Sequence, residues 1–525
     1  MSLIDTHALA AQWQDAFLVP IVVSIVSLCV LLFTYRRITS ALRVRWSHID
    51  GTQWQDKSVF DCSLVIEKIR QNIAEAREMG CQVSLIRNLH DRQEVLINVA
   101  ASSAGTKRIL PTSLQVCYSS GKVIESMLIA VAYDRGWIDF DDNICKYWKE
   151  FTRNGKKDIT IKELMQHRAG LAIVQDAIDF DVVEGFSDPY SDGARNLRTI
   201  LESLPQRYLN ERHANNEPET FYCAVTRGLY SATLLWKADP GARTISQLIK
   251  QEILENIESA DDMQPVEIYC PPPLEIHDRI VHKHMCYFLP LFVRILFQIL
   301  LPRWMCHMLI PESRLLSKEE GLILRTVSKP QVLQAYRIFS LNISDETSEK
   351  NSNSSLSVVI SMLKKCSRLS SELADTVMNI LPGRYELTTL IKETNNEIFY
   401  LSGNPSTSII SNAYSLAKIG AAFIDRKNQI VRKESLEAAL RYTNIAFDNG
   451  LGQSHEYTSI GIAHNPFNDQ RLNGWYGWYG IDGSCLIFNC DLQLSFSYVP
   501  TMFEGRPRRV RSLRLLLACI RALQS

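Results

Sequence analysis

The chain of 525 residues carries 57 Lys and Arg against 57 Asp and Glu, a formal net charge of zero. That balance excludes the strongly basic face that nucleic-acid binding requires. The length, beyond the roughly 250–300 residues at which one core stops growing, predicts one large domain with insertions or two domains. The 13 cysteines are scattered and none forms a Cys-x-x-Cys pair, which points to reduced thiols rather than a disulfide framework or a zinc ribbon.

The first element is "FLVPIVVSIVSLCVLLFTY", residues 17–35, which has no charged side chain and is long enough to cross a bilayer core of about 30 Å. Asp5 and Asp15 precede it, and Arg36, Arg37, Arg43 and Arg45 follow. A signal peptide carries its positive charge on the opposite flank, and the basic flank stays on the cytoplasmic side. The expectation is an N-terminal membrane anchor over 1–50, a single-pass topology and a cytosolic remainder; the alternative is a buried core helix. Sequons at Asn342 and Asn353 suit a lumenal domain instead, but such tripeptides arise often by chance.

Residues 51–258 form the first part of the predicted main domain. In 59–80, Val59, Cys62, Val65, Ile66, Ile69 and Ile73 share one helical face, with Gly80 closing the helix. "CQVSLIRN" and "QEVLINVAA" read as strands joined by a polar turn at "LHDR". The segment 114–142, "LQVCYSSGKVIESMLIAVAYDRGWIDFDD", begins with small polar residues and becomes apolar on nearly all sides, as a buried helix does. "DITIKELMQHRAGL" follows, with Asp158 as its expected cap, and 221–258 reads as helix, Pro-Gly turn, helix. Composition changes over 259–395, a predicted helical insertion. "YCPPPLE" breaks regular structure; 285–311 is apolar but interrupted by Pro290, Arg294 and Pro302, which suits an interfacial helix or a buried insertion better than a second span; 342–357 reads as a mobile loop. Residues 396–525 complete the domain with "YTSIGIAHN", the strand pair "SCLIFNC"/"LQLSFSYV", and a closing helix with Val510, Leu513, Leu516, Leu517 and Ile520 facing inward. The order implies an α+β fold whose first and last strands share one antiparallel sheet flanked by helices.

Within the buried helix, Ser119 and Lys122 stand three positions apart and share a face. Ser361/Lys364 and Ser415/Lys418 repeat the spacing, so context must decide. A serine hydroxyl needs a neighbouring base to become a nucleophile, and burial among Ile124, Met127 and Leu128 lowers a lysine's pKa toward the neutral, basic form. The plain competitors are a Ser119 that only caps the helix, a Lys122 that snorkels to solvent, and a Tyr222 that only fills the core. Gly121 is a poor helix residue in this turn. His277, His282, His284 and Cys286 are zinc-ligating types at a spacing that matches no standard site, so no metal is expected.

Four motifs in order carry a resemblance. "SSGKVIESMLIAVAYDRGWIDFDD", "ITIKELMQHRAGL", "FYCAVTRGLYSATLL" and "GWYGIDGSCLIFNCDLQLSFSYV" resemble the serine β-lactamase/penicillin-binding-protein-like superfamily, in its esterase-like branch, over about 60–260 and 396–525. The resemblance implies a β-lactamase/transpeptidase-like sheet with a helical subdomain. It implies Ser119 as nucleophile, Lys122 as base and Tyr222 as proton relay. The substrate and oxyanion side falls at Trp478, Gly480, Gly483 and Ser484, with N–H groups of Ser119 and of the strand near Ser484 stabilising the oxyanion. It implies no cofactor. Two departures stand out: Trp478 where the family usually shows His or Lys, and Ala224 in the tyrosine motif. The duplicated "GWYGWYG" allows two registers three residues apart. An uncharged tryptophan donor fits an apolar small-molecule ester or amide as partner, beside a membrane. The alternative is a catalytically silent descendant acting as a membrane-associated scaffold or lipid-binding module.

Overall fold

The structure is a computed structural model that describes residues 46–53, 60–74, 78–90, 92–103, 107–172, 186–207, 219–257, 264–284, 395, 401–427, 430–442, 445–451, 453–502 and 510–524. The expected span at 17–35 and the apolar segment 285–311 lie outside these residues. Among those described, no helix is long and apolar enough to cross a membrane.

The strands are β1 (Trp46–Gln53), β2 (Gly80–Asn88), β3 (Gln93–Ser103), β4 (Gln115–Val116), β5 (Ile268–Tyr269), β6 (Ile410–Ser411), β7 (Ala446–Asp448), β8 (Gln453–Tyr457), β9 (Ala463–His464), β10 (Trp475–Tyr479), β11 (Cys485–Asn489) and β12 (Leu494–Pro500). Nine of them make one sheet in the order β1-β3-β2-β12-β11-β10-β9-β8-β7, and β4-β6-β5 make a small second one. β12 pairs antiparallel with β2, Tyr498 opposite Val83. β2 and β12, the first and last strands read from the sequence, therefore pair in mid-sheet, as the order of elements implies. The helices are α1 (Ser63–Ala74), α2 (Lys122–Asp134), α3 (Ile161–Met165), α4 (Asp192–Ser203), α5 (Thr226–Ala238), α6 (Ile245–Leu248), α7 (Ala413–Phe423), α8 (Lys433–Leu440) and α9 (Val510–Gln524).

Both faces of the sheet are covered, yet β2 and β12 alternate: Cys81, Val83, Leu85, Leu494, Phe496 and Tyr498 face one helical layer, while Gln82, Ser84, Ser495 and Ser497 are buried between them. On one face, Val65, Ile69 and Ile73 of α1 and Leu515, Leu516 and Cys519 of α9 pack on Val83, Leu85, Val99, Phe496 and Tyr498. Each such side chain contributes on the order of 2 kcal/mol by leaving water. On the other face α7 lies close, because Gly420 meets β12 where a Cβ would sit 2.3 Å from the Ser495 Oγ.

Several expectations shift. Gly80 opens β2 rather than closing the helix described over Ser63–Ala74; a Cβ there would meet Ile109 at 2.8 Å. The N-cap of α3 is Thr160 in a capping box with Glu163, not Asp158. In α9 the buried stripe is Leu515, Leu516, Ala518, Cys519 and Ala522, while Leu513, Leu517 and Ile520 sit at its edge. Small residues permit the closest approach there, and counting only large apolar side chains rotates the face. β1 crosses the boundary drawn at residue 50. Residues 264–284, assigned to the insertion, are part of the main domain: β5 pairs with β6, and Lys283 is buried. The Asn395 side chain accepts from the Lys283 N–H at 2.8 Å and donates to its carbonyl at 2.9 Å.

Candidate active site

Ser119 lies in a 3-10 turn, Tyr118–Gly121, that runs directly into α2. Tyr118 has φ +45, a left-handed conformation that non-glycine residues enter rarely and at a cost of about 1–3 kcal/mol. The surroundings hold it there. The Cys117 N–H donates to the Ile409 carbonyl at 2.9 Å, and the Cys117 carbonyl accepts from the Ser120 hydroxyl at 2.6 Å. Gly121 is required by packing: a Cβ would lie 2.7 Å from Ile409. Gly121 also occupies the N-cap of α2 and no side chain caps it, so Ser119 is not a helix cap.

Lys122 is fully buried and does not snorkel. Its Nζ donates to the Ala224 carbonyl at 2.5 Å and the Ser406 carbonyl at 3.0 Å. Burial, then the Arg227 charge, push its pKa well below the ordinary lysine value, against the opposing pull of Glu125. A neutral amine has two N–H groups and one lone pair; two carbonyls take the N–H groups and leave the lone pair for a proton. The departure at Ala224 is thereby accounted for, because its backbone carbonyl meets the lysine.

Tyr222 joins the pair. Its phenol is hydrogen-bonded to Ser119 and accepts from the Trp478 Nε1 at 3.0 Å, and Lys122 Nζ lies 5.3 Å from its ring centre. Burial raises the phenol's pKa, while the bonds from Ser119 and Trp478 oppose the rise. The Tyr222 N–H donates to Asp448 Oδ1 at 3.0 Å. Gly450 and Leu451 N–H groups reach the same oxygen, and the Tyr457 hydroxyl reaches Oδ2 at 2.8 Å.

The repeated "GWYGWYG" resolves by strand parity. Trp475 and Tyr479 face the α1/α9 layer and Trp478 the α2 layer, since an odd shift exchanges the faces of a strand. Trp478 gives its one N–H to the Tyr222 phenol. Gly480, Ile481, Asp482 and Gly483 form the β10–β11 turn. Gly483 N donates to the Gly480 carbonyl at 3.0 Å and Gly480 N to the Ser484 carbonyl at 2.7 Å, with Gly483 at φ +93. The Ser484 N–H donates to Asp482 Oδ1 at 3.0 Å. The turn packs on the segment leading to Ser119: a Cβ on Gly480 would come 3.0 Å from the Cys117 carbonyl.

The motif reading passed over four buried residues. Arg227 and Glu125, both inaccessible, form an ion pair at 3.1 Å beneath Lys122. Glu125 also accepts from the hydroxyls of Ser231 and Ser406, and Arg227 donates to the carbonyls of Lys122 and Gly461. His167 accepts from the Cys223 N–H at Nδ1, 3.1 Å, and packs on the Tyr222 ring. Asp448 is the fourth. The signal for two of them was present: a lone Glu and a lone Arg inside otherwise apolar helices must find each other. Of the competing Ser-x-x-Lys pairs, Ser415 accepts from the Glu267 N–H at 2.8 Å inside α7, a structural bond. Ser361/Lys364 lie outside the described residues. His277 sits in the 3-10 segment Leu274–Arg279 and His284 bridges to Met502; Cys286 lies outside.

Residues 69–282 match the family model described as "Beta-lactamase". An esterase/beta-lactamase of Mycobacterium tuberculosis, LipL, is 35% identical over 77 residues, 14% of this chain and 18% of that protein. The match thus spans under a fifth of that relative's length. A penicillin-binding protein homologue from Caulobacter crescentus superposes with a TM-score of 0.60 at 16% identity, covering 91% of this chain and all of that one. A family VIII carboxylesterase gives the same figures, and EstA from Arthrobacter nitroguajacolicus a TM-score of 0.57. The chain has the α+β fold of the β-lactamases and penicillin-binding proteins, and residues 69–282 carry a β-lactamase domain. The sequence match is confined to residues 69–282, and the solved structures, at 16% identity, share the fold.

Proposed function

We propose that this protein is a membrane-anchored serine hydrolase that cleaves an apolar ester or amide through an acyl-enzyme. The observation that carries the reading is the buried Lys122 amine, its N–H groups taken by Ala224 and Ser406, beside the hydrogen-bonded Ser119 and Tyr222. Ser119 Oγ attacks the carbonyl carbon as its proton passes to Lys122. The Ser119 N–H, at the start of the turn, stabilises the oxyanion. The C–O or C–N bond then breaks, with Tyr222 handing the proton to the leaving alcohol or amine, and water releases the acid by the reverse sequence. Trp478, Tyr457 and two imidazoles wall the site. Burial lowers the pKa of His455 to about 3 and depresses that of His167, so the wall is uncharged and favours an apolar acyl group.

A fluorophosphonate probe tests the nucleophile: labelling of the full chain is expected, and labelling that survives Ser119→Ala removes the assignment. Turnover of short acyl esters, lost in Lys122→Met, excludes the silent-scaffold alternative. The apolar run 17–35 and its trailing arginines support a single-pass anchor with the catalytic domain in the cytosol; extraction of the full chain from membranes by alkaline carbonate argues against it.

A further inference from the structure

A second buried ion pair stands behind the nucleophile turn and belongs to none of the motifs. Lys283 and Asp482 are both inaccessible and meet at 2.8 Å. Removing two charges from water costs several kcal/mol each unless both are well bonded. The Lys283 Nζ donates to Asp482 Oδ2, to the Pro500 carbonyl at 2.5 Å and to Gln115 Oε1 at 3.4 Å. The same ammonium lies 5.8 Å from the ring centre of Tyr118, the residue held at φ +45 immediately before Ser119. The other carboxylate oxygen of Asp482 faces Ser484, whose Oγ is 2.7 Å from it and 2.8 Å from the Cys117 carbonyl. The Ser120 hydroxyl lies 3.1 Å from the Ser484 hydroxyl.

Ser484 has one hydroxyl proton, for which the nearer Asp482 carboxylate and Cys117 carbonyl compete, with the Ser120 oxygen farther off at 3.1 Å. A buried carboxylate with no counter-charge draws that proton strongly, because charge-assisted hydrogen bonds are about twice as strong as neutral ones. With Lys283 bonded to Asp482, the pull is reduced and the proton is available to the Cys117 carbonyl. That bond ties the β10–β11 turn to the segment carrying Ser119.

We infer that Lys283 is a positioning residue for the nucleophile. It holds the strained Tyr118–Gly121 turn from behind, by lying against Tyr118 and, through Asp482, by directing the Ser484 hydroxyl to the Cys117 carbonyl. The inference rests on the serine-hydrolase reading for its kinetic consequence but not for its structural one.

The test is a double-mutant cycle in the full chain with Lys283→Met and Ser484→Ala. Rates are expressed per fluorophosphonate-titrated Ser119, and hydrogen exchange is followed over residues 114–122. The expected loss in kcat is about tenfold for each single variant, the size of one hydrogen bond, with KM unchanged within about twofold. The double variant should fall no more than about threefold below Lys283→Met. Protection of 114–122 should drop in both single variants. A purely structural role lowers the folded fraction and leaves kcat per titrated site unchanged; that result, additive losses, or unaltered exchange overturns the inference. Ser484→Ala buries no new charge and carries the test should Lys283→Met not fold. Absence of turnover in the wild-type chain strikes at the hydrolase reading, and the exchange measurement still decides the role of Lys283.

Discussion

Asp448 makes the sharpest prediction. Burial raises its pKa from the ordinary 3.8 to about 6, even though the Tyr457 hydroxyl and the N–H groups of Leu451, Tyr222 and Gly450 all favour the charged form. The folded state thus holds a proton that the unfolded chain releases. The stability this contributes is fully present below about pH 3.8 and is lost as pH rises through about 6. A gap of about two pKa units corresponds to ~3 kcal/mol. Asp448→Asn keeps an acceptor oxygen for the Tyr222 N–H and removes the ionisation. The assay is urea unfolding of wild type and variant, followed by tryptophan fluorescence at intervals from about pH 3.5 to 7, so that titrations common to both cancel in the difference. Relative to the variant, the wild type should lose ~3 kcal/mol across that range, most of it between about pH 4 and 6. A difference that stays flat, or that moves in favour of the wild type as pH rises, refutes the assignment of a destabilised buried carboxylate. Asp448→Ala is the control; it strands the N–H groups of Tyr222, Gly450 and Leu451 and should cost about 1–3 kcal/mol for each one left unpaired.

Lys122→Met should lower ester turnover by about a thousandfold, the middle of the range for a lost general base. Because the buried lysine binds its proton less tightly than it does in the unfolded chain, wild type should gain stability relative to this variant as pH rises from neutral toward about 10, measured by urea melts. Arg227→Met strands the Glu125 carboxylate and should cost about 3–5 kcal/mol, read by thermal unfolding, with much of the loss recovered in the Glu125→Gln/Arg227→Met double variant. Trp478→Phe removes the donor to Tyr222 and should slow turnover about fivefold to tenfold while the far-ultraviolet circular dichroism stays native; a rate equal to wild type would show that the indole N–H has no part in placing the phenol.

Much of the fold was legible because β2 and β12 place an apolar residue at every second position, Cys81, Val83 and Leu85 in one and Leu494, Phe496 and Tyr498 in the other. "CQVSLIRN", "QEVLINVAA" and "LQLSFSYV" contain the runs that become β2, β3 and β12. Ser119, Lys122 and Tyr222 were legible through spacing, dryness and motif order, and the structure brings them together. What escaped is long-range and polar. Asp448 bonds the Tyr222 backbone from 226 positions away, and Lys283 reaches Asp482 across 199. Nothing in local periodicity marks a charged residue as interior. The Ser484 N–H bond to Asp482, two residues back, is likewise a turn bond that strand alternation does not encode. The small residues of α9 hid its true inner face from a count that weighs only large apolar side chains.

The side-chain amide of Asn395 clasps both the N–H and the carbonyl of Lys283, two residues that bracket 285–394. Two residues 112 positions apart in the sequence are thereby fixed against each other. Closing a loop between fixed ends grows costlier only with the logarithm of its length, so changing the number of residues between Lys283 and Asn395 should cost the described sheet and helices little stability.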